Sequence, residues 1–181
     1  MKDGNDRVIS QVSESRPGAP NSVSNPKASS ARCLILACGN TLREDDGIGP
    51  LLAQWAEERW RDDARVRVLC DHQWTPDMAE EVAAAETVIF VDASLDQVPG
   101  QILLRELTPA TLKPALVTHH LGAAELLSVG GDLYGMQPRK ACLITIGAGS
   151  VELGEGLSPA VRDAMPDAKD LLQLTVRQLL G

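Results

Sequence analysis

The order of apolar runs and helical stretches along this chain predicts an α/β protein, a three-layer α/β/α sandwich around about five strands. Three observations carry that prediction. Short apolar runs bounded by Gly, Asn or Asp recur along the chain, as expected for strands buried on both faces. Stretches of 3.6-residue period separate them. The alternation strand, helix, strand, helix, strand calls for parallel pairing with right-handed crossovers.

Each element has its own warrant. Cys33-Leu34-Ile35-Leu36-Ala37-Cys38 is a continuous apolar run closed by Gly39-Asn40. From Ile48 to Arg61, residues Ile48, Leu51, Leu52 and Trp55 fall on one helical face, and Pro50 is tolerable in the first turn. Residues 66–70 read as the second strand. Thr75-Pro76 has the N-cap/N1 signature and opens a short helix over 78–85. Residues 87–91 form the third strand and end at Asp92. The stretch 101–107 alternates Ile102 and Leu104 with polar residues, which suits a sheet edge. Residues 121–129 are helical, and 141–147 form another strong strand. Ser158-Pro159 starts a last helix, which Pro166 is expected to interrupt before it resumes over 167–180 with Ala168, Leu171, Leu172, Thr175 and Leu179 as its stripe.

The first thirty residues differ from the rest. Seven Ser, three Pro, three Asn and two Gly make up half of them, with no apolar period. Residues 1–30 are therefore expected to be a disordered tail and 31–181 a single domain. The tail carries four basic and three acidic residues, a charge of +1. With −8 for the whole chain, the domain carries −9.

Composition excludes several classes. An acidic domain is a poor partner for nucleic acid or an anionic membrane. No apolar run approaches the ~20 residues of a membrane helix, and no apolar segment of a secretory signal is visible, so a cytoplasmic protein is expected. The four cysteines form no C-x-x-C pair, and buried reduced thiols are expected of them.

In open α/β sheets, ligands bind beyond the carboxyl ends of the strands. The polar residues there are Gly39 to Gly49 after the first strand, Asp71-His72-Gln73-Trp74-Thr75 after the second and Asp92-Ala93-Ser94 after the third. Beyond these come Thr118-His119-His120-Leu121-Gly122 and the loop 147–156. Glu44-Asp45-Asp46 stand just before a helix, where acids cap an N-terminus, or where close carboxylates await a cation. The loop is no P-loop, dinucleotide fingerprint or EF-hand, and no G-x-S-x-G elbow occurs in the chain. Two carboxylates and an imidazole would make an N,O site for nickel, zinc or another divalent ion with open positions.

Together these motifs resemble those of the hydrogenase maturation protease family. The matching residues are Gly39-Asn40 with Leu42, Asp45-Asp46-Gly47 and Gly49; Val91-Asp92-Ala93; His119-His120-Leu121-Gly122 with Glu125-Leu126-Leu127; and Gly154-Glu155-Gly156-Leu157-Ser158-Pro159 with Val161. The resemblance covers about Leu34 to Leu180. It implies a five-stranded fold with one antiparallel strand. It also implies an endopeptidase that removes the C-terminal extension of a nickel-iron hydrogenase large-subunit precursor after nickel insertion. The groups meeting the precursor's nickel would be Asp46, Asp92 and His119, with recognition and catalysis shared among them. Substrate recognition would involve Asn40, Asp45, Gly47, His72, Gln73, Trp74, Thr75 and His120. Nickel would arrive with the substrate, and the partner would be the precursor itself.

One departure stands out. Where the family often carries Asp-Gly-Gly-Thr, this chain reads His72-Gln73-Trp74-Thr75. That change, with the missing nucleophile, leaves open a non-catalytic nickel-binding checkpoint or carrier for hydrogenase assembly. A small-molecule hydrolase of similar architecture is a third reading, since fold does not fix function.

Overall fold

The computed structural model describes residues 31–108 and 121–181. The expected tail, His119 and His120 lie outside the described residues. The strands are β1 (Cys33–Cys38), β2 (Val66–Asp71), β3 (Thr87–Ser94), β4 (Ile102–Leu107) and β5 (Lys140–Gly147). The helices are α1 (Ile48–Arg59), α2 (Ala79–Ala84), α3 (Ala123–Tyr134) and α4 (Pro159–Leu180). The sheet order is β2-β1-β3-β5-β4. All neighbours pair in parallel except β4 with β5. The α/β/α architecture predicted from the alternation is thus the one observed, and the antiparallel strand lies at the edge.

Strand parity builds the two outer layers. Cys33, Ile35 and Ala37 of β1 face one side, buried with Ile48 and Leu52 of α1 and Leu172 and Val176 of α4. Leu34, Leu36 and Cys38 face the other, buried with Val82 of α2 and Leu126 and Leu127 of α3. A fully buried Leu or Ile is worth roughly 1.5–3 kcal/mol. The central strands therefore hold the sheet, and the loops at their carboxyl ends are free to carry chemistry.

Three expectations need correction. Helix α4 runs unbroken through Pro166. The proline lies on the exposed face, so the Arg162 carbonyl that loses its N–H partner is left to water rather than buried. Leu51 does not join the buried face of α1; it lies at the exposed side, while Ile48, Leu52 and Ala56 point inward. Cys70 is exposed rather than buried, because β2 is the other edge strand; Cys33 and Cys38 are buried, as expected.

Strand order also fixes where a ligand fits. The chain leaves β1 toward β2 on one side and returns to β3 on the other. The switch point is therefore between β1 and β3, and a crevice opens beyond their carboxyl ends.

Candidate functional site

Beyond β1 the chain turns at Gly39, whose φ of +137° suits only glycine. A β-carbon there would lie 2.0 Å from the Asp46 carbonyl oxygen. Gly49 is constrained differently: its missing side chain lets α1 approach β1, since a β-carbon would lie 1.9 Å from the Cys38 carbonyl oxygen. Between them, Glu44–Gly47 forms a 3-10 turn. Glu44 itself adopts a left-handed φ of +45°.

That turn sends two adjacent aspartates in opposite directions. Asp45 is fully buried. One of its carboxylate oxygens accepts the Ser158 backbone N–H at 2.6 Å. The other accepts the Ser158 hydroxyl at 2.8 Å, the Gly149 N–H at 2.8 Å and the Ser150 N–H at 3.4 Å. Burial works against its charge, but the donors of Ser158, Gly149 and Ser150 outweigh it and hold its pKa below the ordinary carboxylate value. Asp45 thus clasps the first loop to the segment between β5 and the N-cap of α4.

Asp46 turns the other way, into a cleft of about 600 Å3. Its carboxylate accepts the Asn40 backbone N–H at 2.8 Å. The Asn40 side chain in turn accepts the Leu42 N–H at 2.9 Å, which fixes the turn. Asp92, near the end of β3, lines the same cleft. It accepts hydrogen bonds from the Cys38 thiol and the Ala93 N–H. Burial nevertheless raises its pKa to about 6, and the neighbouring Asp46 charge adds to the rise. Burial and the adjacent Asp92 push the Cys38 thiol far above its ordinary value, so it stays protonated and donates.

Of the expected recognition residues, Asn40, His72, Gln73 and Trp74 line this cleft. The His72 imidazole is 74% exposed, with Nδ1 3.5 Å from an Asp71 carboxylate oxygen. Trp74 is otherwise than a surface group: its ring is buried and packs edge-on against Phe90 at 5.2 Å. Three do not line the cleft. Asp45 is taken up by the clasp, Gly47 is buried against Thr41, and Thr75 sits at the start of the 3-10 turn 76–78 without capping it. Leu121 and Gly122, the first described residues after His120, also line the cleft.

Cys38 and Leu95 line the cleft from outside the expected segments, whereas Arg43, Ser94 and Val151 lie in those segments without having been singled out as site residues. Alternation along β1 already set the side of Cys38. Val151 belongs to the loop 147–156 that follows β5, a segment expected at this end of the sheet. Among the described residues no three His, Cys, Asp or Glu side chains group closely enough to hold a metal ion by themselves. Two carboxylates with an open side are suited to complete the shell of a divalent ion that arrives with other ligands.

No protein-family model matches the chain. A curated relative, the hydrogenase 2 maturation protease of Escherichia coli, is 28% identical over 151 residues, which span 81% of this chain and 92% of that protein. The solved structure of the [NiFe] hydrogenase maturation protease HycI from Thermococcus kodakarensis superposes with a TM-score of 0.62 at 26% identity, covering 83% of this chain and 94% of that one. The hydrogenase maturating endopeptidase HybD from Escherichia coli shares the fold, with a TM-score of 0.66 at 24% identity over 81% and 93% of the two chains. No helix among the described residues is long and apolar enough to cross a membrane. Motifs, relative and fold agree in likening the chain to the hydrogenase maturation proteases, which supports a peptidase role.

Proposed function

We propose that this peptidase removes the C-terminal extension of a nickel-iron hydrogenase large-subunit precursor once nickel has been inserted, and that the precursor's nickel is its recognition signal. The observation that carries the reading is the convergence of Asp46 and Asp92, from the ends of β1 and β3, on one cleft at the switch point. His119 is the third ligand of the proposal, two residues before the cleft-lining Leu121 in sequence.

Nickel belongs to the substrate in this scheme. The precursor holds it, and Asp46, Asp92 and His119 complete its shell. Docking the ion in this way fixes the neighbouring peptide bond in the cleft, which lowers the entropic part of the barrier. A precursor without nickel offers nothing to bind, so cleavage waits for insertion. Hydrolysis then adds water to the scissile carbonyl carbon, breaks its C–N bond and returns a proton to the leaving amine. The reaction takes place where nickel is inserted, which for this chain is the cytoplasm.

Purified protein mixed with nickel-loaded precursor should shorten it by the mass of its tail, while nickel-free precursor stays intact. Unchanged mass in both samples, or equal cleavage of both, overturns the reading. A stable complex with no new C-terminus would assign the chain the role of a nickel checkpoint instead.

A further inference from the structure

Arg43 is the one lysine or arginine among the described residues lining the cleft. No carboxylate among the described residues forms a salt bridge with it. That is unexpected in a chain with 25 acidic residues against 17 basic ones. The side chain is nonetheless held. Its Nε donates to the Val151 carbonyl at 2.9 Å. Its backbone pairs in parallel with Gly154, through Gly154 N–H to the Leu42 carbonyl and Glu44 N–H to the Gly154 carbonyl, both at 2.9 Å.

With Nε occupied, the two terminal nitrogens remain to bind. Their parallel N–H groups match a carboxylate in bidentate fashion. Holding the guanidinium beforehand reduces the side-chain entropy lost on binding. Apolar side chains line and flank the cleft as well. Leu95 and Val151 line the same cleft. Leu42 and Leu153, next to the paired Arg43 and Gly154, are 54% and 88% exposed, and Leu95 is 63% exposed. Large apolar side chains around a polar cleft mark a surface that another polypeptide covers.

We propose that Arg43 binds a carboxylate of the polypeptide being cut, with Leu42, Leu95, Val151 and Leu153 seating the apolar side chains next to it. This rests on the peptidase reading above and adds the chemistry of the substrate: an apolar segment bearing a carboxylate near the scissile bond. The carboxylate is either an acidic side chain or the chain's own C-terminus.

The test uses the full-length protein and nickel-loaded precursor, with both cleavage kinetics and precursor binding measured. Arg43→Gln should raise KM and weaken binding about tenfold, with a much smaller change in kcat; Arg105→Gln on the distant edge strand should change neither. Neutralising the acidic side chains of the tail (Asp→Asn, Glu→Gln) is one substrate arm, and amidating its C-terminus is the other. The arm that removes the true partner should weaken binding to the wild type by the same factor and leave Arg43→Gln unaffected. Cleavage by the wild type with no effect of Arg43→Gln, or losses that simply multiply in both arms, overturns the proposal for Arg43 alone. Arg43-dependent binding without cleavage by the wild type would instead overturn the proposed function.

Discussion

Asp45 and Asp46 are neighbours in sequence, yet they belong to two regions with opposite electrostatics. In the clasp, Asp45 is enclosed by four donors from residues 149–158. In the cleft, Asp46 and Asp92 share a wall with few donors, and burial raises Asp92 to about 6. The clasp carboxylate is stabilised as an anion and has no face to offer. The cleft carboxylates are open on one side, and Asp92 is under-solvated. Burial alone does not make an acid functional: what distinguishes the regions is whether the fold supplies the donors or leaves them to a ligand.

The largest expected effect separates the two regions by activity. Asp46→Ala and Asp92→Asn should each cut processing of nickel-loaded precursor about a thousandfold, while leaving the folded fraction by circular dichroism intact. Full cleavage by Asp46→Ala would remove the cleft from the mechanism. Next comes stability. Asp45→Ala leaves buried donors unsatisfied and should cost about 3 kcal/mol, read as a fall in the denaturant midpoint. If Asp45→Ala matched the wild type in stability, the clasp would have no energetic content.

The pH dependence sharpens the contrast further, because the two shifts have opposite signs. Asp45 has a folded pKa below the ordinary aspartate value of 3.8, so its stabilisation is present above that value and is lost as pH falls through the lower folded pKa. The deficit of Asp45→Asn relative to the wild type should therefore shrink in acid. Asp92 is raised from 3.8 to about 6, so its burial opposes folding above pH ~6 and ceases to do so below about pH 4. The gain in Tm of Asp92→Asn over the wild type should grow between pH 4 and 7. A pH-independent difference for either variant contradicts the assignment. The smallest effect concerns the strained turn joining the regions: Glu44→Gly should change stability by no more than about 0.5 kcal/mol, since relief of its left-handed φ is offset by a freer unfolded chain.

Much of the framework was legible before any coordinates. The apolar run 33–38 is strand β1 to the residue, and Ser158 is the N-cap of α4, its hydroxyl accepting the Val161 N–H. Both follow from local rules that a short window contains. Pro166 misled because a local rule assigns it a break, whereas the solvent-facing position of that turn makes the missing hydrogen bond tolerable. The departure at Trp74 is visible in the sequence, but its packing edge-on against Phe90 is not. The contact that holds Arg43 had no local signal, because its partner Val151 is 108 residues away.

Sequence by itself determined the alternation of strands and helices and put acids at the ends of β1 and β3, because periodicity and turn chemistry act over a few residues. Only the tertiary structure decided which of two adjacent aspartates became a buried clasp and which a cleft wall. The physical reason is distance along the chain: the Ser158 donors that hold Asp45 lie 113 residues beyond it, and no local pattern records that they meet.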